Sequence, residues 1–152
     1  MLVAMAVADA SDGQWASEPP FASGAGGLVS TASDVLAFQR MLLAGGGDAL
    51  PRELVAAMMT DQLTPENRAT DTMFLDCQSW GFGGGVDIDA RNPWNAGGRY
   101  GWVGGTGTAA HVVPTDGSIA ILLTQVEIGG PTGSRVLEAF WAAAADHFGH
   151  GS

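Results

Sequence analysis

The first apolar run with helical spacing lies between Val35 and Leu43, where Val35, Leu36, Phe38, Met41, Leu42 and Leu43 form one broad face. Residues 9–27 before it are rich in Gly, Ser, Pro and Asp and read as loop. Thr31 and Asp34 resemble a capping box with Asp in place of Glu. Gly45 to Gly47 end the helix, because glycine readily takes the left-handed stop conformation. Pro51, whose missing N–H costs nothing in a first turn, opens a second helix. That helix carries Leu54, Val55, Met58 and Met59 and fades near Asp61. Residues 61–79 read as a connection, with a weak strand tendency at Met73 to Leu75.

The pattern then changes to strands. Trp80 to Asp89 reads as one strand softened by Gly81 and Gly83 to Gly85, and a loop follows around Asn92, Pro93, Gly97 and Gly98. Arg99 to Val103 and Thr108 to Val113 are two further strands. Pro114 to Gly117 supply a tight turn, with Asp116-Gly117 as its strongest signal. Ser118 to Gln125 is apolar enough for a central strand. Gly129, Gly130 and Pro131 break the chain. A last helix from Thr132 to Phe148 aligns Leu137, Phe140, Trp141, Ala144 and Phe148 on one face. Two helices, three or four antiparallel strands and a closing helix predict an α+β fold, an antiparallel sheet flanked by helices.

Composition adds a qualification. The 152 residues fit one domain, yet only 14% are charged, against about 25% in an ordinary soluble domain. The surface is poor in solvating groups, so part of it is expected to face more protein. A compact, Gly-rich secreted or periplasmic enzyme is the alternative. All six basic residues are arginines, set against 16 acids. With no basic patch, the chain is expected to bind neither nucleic acid nor an anionic membrane. Cys77, the only cysteine, is expected to be a partly buried, inert thiol. Met1 to Ala8 is apolar but short and lacks the basic start of a signal peptide, which favours the cytoplasm. No stretch is long enough to span a membrane.

Two segments carry a resemblance. One is Gly24-Ala25-Gly26-Gly27-Leu28-Val29-Ser30-Thr31-Ala32-Ser33-Asp34. The other is Gly101-Trp102-Val103-Gly104-Gly105-Thr106-Gly107-Thr108, followed by Pro114, Asp116-Gly117 and an apolar strand ending Leu123-Thr124-Gln125. Together they resemble the β-lactamase-related serine hydrolases, the class C β-lactamase, penicillin-binding-protein and esterase type. The likeness covers residues 24–152 as the C-terminal portion of that fold, leaving 1–23 poorly defined. In that family a strand motif of Lys-Thr-Gly, or of His or Trp, one residue and Gly, lines the active-site cleft. The resemblance places it at Trp102-Val103-Gly104, with substrate lying against this strand and glycine needed where it passes. The Gly105 amide is then one of two oxyanion-hole donors. Trp102 offers an apolar wall instead of the cation that engages a substrate carboxylate, which points to esterase-like chemistry. A buried sheet tryptophan under a helix is the structural alternative for Trp102.

The rest of the family's chemistry is missing. Ser-x-x-Lys, which supplies nucleophile and base, requires a lysine, and this chain has none. Tyr-x-Asn is absent too, since Tyr100 is the only tyrosine and precedes Gly101-Trp102. His111 reads as a packed strand side chain, and His147 and His150 suit a helix C-terminus. Asp12, Asp87 and Asp89 read as solvated carboxylates. A triad of Ser79, His111 and Asp116 exists only on paper. No residue pattern calls for a metal or cofactor. The expected function is therefore the C-terminal part of a serine hydrolase, inactive alone. Its partner would be the missing N-terminal half of the fold or a second copy, and its substrate in the complete enzyme a small ester or amide. A non-catalytic binding module on the same fold is the alternative, and a small enzyme of an unrelated class is a third.

Overall fold

A computed structural model describes residues 11–70, 75, 77–128 and 134–149. The chain divides into two compact units, Met1–Thr31 and Ala32–Ser152. In the first unit, Gln14–Ala16 form a single 3-10 turn. Gly27 has φ +78°, and a Cβ there would lie 3.2 Å from Trp15 Cζ3.

The second unit is α+β. Its helices and strands run α1 (Ala32–Leu43), α2 (Arg52–Met58), α3 (Pro65–Ala69), β1 (Gln78–Trp80), β2 (Gly85–Asp87), β3 (Tyr100–Gly104), β4 (Thr108–Val113), β5 (Ser118–Leu123) and α4 (Arg135–Phe148). The strands make one antiparallel sheet in the order β1-β2-β3-β4-β5.

Two expectations are corrected. Trp80 to Asp89 is a hairpin and not one strand. Gly81 N–H bonds Gly84 C=O at 2.9 Å, and Gly83 has φ +84°, a conformation that glycine adopts without the Cβ penalty. A Cβ on Gly81 would lie 2.0 Å from Met58 O, so the reversal also needs glycine for space. The connection at 61–79 holds a short helix, α3, where Thr64 Oγ1 accepts from Asn67 N–H at 3.3 Å and Pro65 occupies the first turn. The weak strand at Met73 to Leu75 and the break at Gly129 to Pro131 lie mostly or wholly outside the described residues.

The core sits on one face of the sheet. Val86, Tyr100, Val112 and Ile119 stand in register across β2 to β5. They pack with Leu42 of α1 and Val55 of α2. Val112 is wholly buried. Phe38, assigned by its spacing to the α1 apolar face, is 48% exposed. On α4, Trp141 and Ala145 are buried, Ser134 Oγ caps the Leu137 N–H, and Gly149 closes the helix at φ +76°.

Candidate active site

β3 is paired unequally along its length. β4 pairs with all of Tyr100 to Gly104, whereas β2 pairs only with Tyr100 and Gly101. Among the described residues, the β2 side of Trp102 to Gly104 therefore has no neighbouring strand. The turn after β3 fixes the direction of the next amide. Gly104 C=O accepts from Gly107 N–H at 3.0 Å. In a trans peptide the carbonyl and the following N–H point in opposite directions, and there is no cis bond among the described residues. The Gly105 N–H thus points away from the interior of the turn.

Three glycines do separate jobs here. A Cβ on Gly104 would lie 2.6 Å from Thr108 Oγ1, so a side chain at this position must displace that hydroxyl of the facing strand, whether or not a substrate is present. Gly105 is exposed, and a Cβ there would meet nothing within 4 Å. Its carbonyl is tied to Ile128 N–H at 2.9 Å. Gly107 has φ +87°, and a Cβ on it would lie 2.0 Å from Val126 O. Its carbonyl accepts from Thr124 Oγ1 at 2.8 Å.

Trp102 is 37% exposed and stands edge-on to Trp80, with ring centroids 4.4 Å apart. It is an aromatic wall at the surface and not a tryptophan buried under a helix. Its Cε3 lies where a Cβ on Gly85 would come within 3.4 Å. Val103 is half-buried beside it. Tyr100 is structural: its hydroxyl donates to Phe82 C=O at 2.8 Å, and burial raises its pKa. It thereby ties the β1–β2 turn to β3.

The α4 face of the sheet, the one opposite the apolar core, also holds a polar cluster that the sequence alone did not reveal. Asp87, expected to be solvated, is 1% exposed. It accepts from Gln78 Nε2 at 2.7 Å, Asn95 Nδ2 at 2.8 Å, Ala96 N–H at 3.3 Å and Arg99 at 3.2 Å. Arg99 is 5% exposed, and its guanidinium stacks on Trp141 at 4.5 Å. Burial lowers its pKa against the opposing charge of Asp87. His111, on β4, is 3% exposed and edge-on to Trp141 at 4.6 Å. Burial, followed by the Arg99 charge, holds its pKa well below the ordinary histidine value, so it is a neutral imidazole at pH 7. The Asp87–Arg99 pair leaves little signal in the sequence, because Asp87 ends β2 and Arg99, twelve residues on, lies in the loop just before β3.

The paper triad is not assembled. The Ser79 hydroxyl donates to Asp61, and Arg68 bonds both residues. Burial pushes the Asp61 pKa up, but hydrogen bonds from Ser79 and Leu63 and the Arg68 charge outweigh it, and the net shift is downward. Asp116 Oδ1 accepts from Ser118 N–H at 2.8 Å in the β4–β5 turn. Cys77 is buried, as expected, with φ 64°. Among the described residues there is no cluster of three metal-ligating side chains, and no helix is long and apolar enough to cross a membrane.

The beta-lactamase family matches residues 3–144. This chain belongs to that family, whose members are serine-hydrolase-like. It is also similar to two proteins of Mycobacterium tuberculosis, Uncharacterized protein MT1414 of strain CDC 1551 / Oshkosh and Protein Rv1367c of strain ATCC 25618 / H37Rv. Each is 35% identical over 121 residues, covering 70% of this chain and 30% of the relative. The chain thus corresponds to about a third of the length of these relatives.

Proposed function

We propose that this chain supplies one wall and one oxyanion-hole donor of an acyl-hydrolase site whose nucleophile and base lie outside these 152 residues. The unpaired side of β3 from Trp102 to Gly104, with the outward Gly105 amide, carries this reading. An acyl group lying along that edge meets the Trp102 ring as an apolar wall, and Gly104 and Val103 line its path. The Gly105 N–H stabilises the charge that develops on the carbonyl oxygen. The substrate class is a small ester or amide without a carboxylate requirement at Trp102. No proton acceptor suited to activating a serine stands on this edge, because the sequence has no lysine and its one tyrosine is committed to Phe82.

The partner in this reading is an N-terminal half of the same fold bearing Ser-x-x-Lys, with self-association as its substitute. Exposed hydrophobic residues support it. In the second unit Phe38, Leu54, Phe82, Ile88, Trp102, Leu123, Val126, Val136 and Phe148 are all more than a third exposed. β5 is an edge strand with the sequence Ser-Ile-Ala-Ile-Leu-Leu.

The test is hydrolysis of 4-nitrophenyl acetate by the chain alone and co-expressed with such a half. The pair is expected to turn over and the chain alone to match a folded control. Gly105→Pro in the pair removes the donor and lowers kcat about 10²–10³-fold, whereas Gly105→Ala retains it. Turnover by the isolated chain that vanishes on mutating one of its own serines overturns the proposal. A soluble, cooperatively folded monomer that gains nothing from the added half points instead to a non-catalytic binding module.

A further inference from the structure

The two edges of the sheet are finished differently. β1 has only three residues, and Gln62 N–H covers its outer side by bonding Trp80 C=O at 2.9 Å. β5, at the other edge, has six residues and, among the described residues, no backbone partner on the side away from β4. Thr124 N–H points inward, to Gly107 C=O at 3.2 Å. Inward and outward residues alternate along an antiparallel strand, so Ile119, Ile121 and Leu123 turn their N–H and C=O groups outward. Edges of this kind are ordinarily guarded by charge, proline or a bulge. Ser118 to Gln125 contains no charged residue and no proline, and β5 pairs with β4 without a bulge.

We infer that the β5 edge is a dimerisation surface whose occupant is the β5 edge of a second copy, paired antiparallel about a twofold axis at Ile121. In that register Ile121 faces Ile121, and Ile119 faces Leu123 of the second copy. Each pair exchanges two N–H···O bonds, so the outward groups of all three residues are satisfied. A shift by two residues leaves one of the three unpaired, and a shift by one sets outward residues against inward ones. The side chains agree with this register. Ile119 packs on the apolar core, and Ile121 and Leu123 follow it on the same face at a period of two. Leu123, half-exposed in the single chain, then packs against Ile119 of the second copy. Charge agrees as well. Each chain carries −10, but Asp116 falls opposite Val126 and Glu127 opposite Thr115, so no carboxylate faces another. A six-residue strand pair is small beside the about 1,600 Å² of a standard interface. α1 supplies a second layer, because it packs over β4 and β5. With strands about 4.8 Å apart and its axis over the gap between these two, the two copies of α1 lie about 10 Å apart, at the packing distance of helices. The pairing gives a surface to the self-association named in the proposed function and rests on that reading no further, since it requires no hydrolysis.

Analytical ultracentrifugation of the 152-residue chain tests the inference. Turnover, which tests the hydrolase reading, does not enter it. A dimer at about 100 µM that dissociates on dilution toward about 1 µM is expected. It should tighten at about 0.5 M salt, because screening weakens the repulsion between like net charges. Leu123→Lys should weaken it at least about tenfold with an unchanged circular dichroism spectrum, since a lysine guards an edge. Ile121→Cys reads the register without that variant. Its Cα atoms, about 5.5 Å apart across the twofold axis, are within disulfide reach. Leu123→Cys stands opposite Ile119 and so lies too far from its own counterpart. Mild oxidation should therefore link Ile121→Cys chains and leave Leu123→Cys chains single. A monomer at about 100 µM, equal crosslinking of both variants, or association that Leu123→Lys leaves unchanged overturns the proposal. A chain that pairs only with an added N-terminal half does so too, and assigns the edge to that half.

Discussion

The two faces of the sheet are built on different principles. On the α1 and α2 side, Val86, Tyr100, Val112 and Ile119 form an apolar row that closes with Leu42 and Val55. On the α4 side the corresponding row is Gly85, Gly101, His111 and Ala120. Two glycines there leave room for rings. A Cβ on Gly101 would lie 2.8 Å from His111 Cγ and 2.1 Å from Ala110 O. Into that room go the Trp102 and His111 rings, and the Asp87–Arg99 pair lies on the same face. One face is held by area removed from water, the other by a buried ion pair whose charges must satisfy each other. The first tolerates change in proportion to the volume lost. The second fails when one partner is taken away.

The largest effect is therefore expected at Arg99. Arg99→Ala leaves Asp87 charged, buried and short of its guanidinium, at a cost of about 3–5 kcal/mol in urea unfolding. Adding Asp87→Ala should recover part of this loss, because no unpaired charge then remains. A double variant no more stable than Arg99→Ala would show that the face is held by packing on Trp141 instead. On the apolar face, Val112→Ala should cost about 2 kcal/mol, as a cavity in a packed site does, with no change in its pH dependence. A loss below about 0.5 kcal/mol would mean that α1 collapses into the gap.

The third and smallest effect separates the faces by pH. The folded pKa of His111 is depressed, so its contribution to stability is complete above the unfolded value of about 6.5 and is lost as pH falls toward the folded value. Between pH 7.5 and 5.5, thermal unfolding should shift downward with a slope of at most about 1.4 kcal/mol per pH unit. His111→Phe should flatten that slope. A slope that persists in the variant would assign it to other groups.

Much of the fold was legible because it follows from local rules. α1 begins one residue after Thr31, β4 spans Thr108–Val113 as read, and α4 ends at Phe148 as read. Asp116-Gly117 makes the turn it signals, with Gly117 at φ +76°. The β1–β2 hairpin differs from the single strand expected, because Gly81 and Gly83 to Gly85 do not soften a strand but mark the place where it reverses. The short helix at Pro65 had its signal in Thr64-Pro65-Glu66, but a five-residue helix lacks the periodicity that reveals longer ones. At the candidate site, the motif strand was found through resemblance. The Asp87–Arg99–His111 cluster was not, because burial of a charge depends on which strands become neighbours, and composition carries no trace of that.

The sheet's strand order also bears on how the chain folds. Every strand pairs with its neighbour in sequence, so each pairing closes only a short loop. Native contacts of small sequence separation form quickly, since little chain entropy is lost before each is made. A meander of this kind can zip from one hairpin to the next while a chain is still being synthesised. Its strands thus have no need to wait for a distant segment before they pair, and the apolar β5 edge is the last part of the sheet to be laid down.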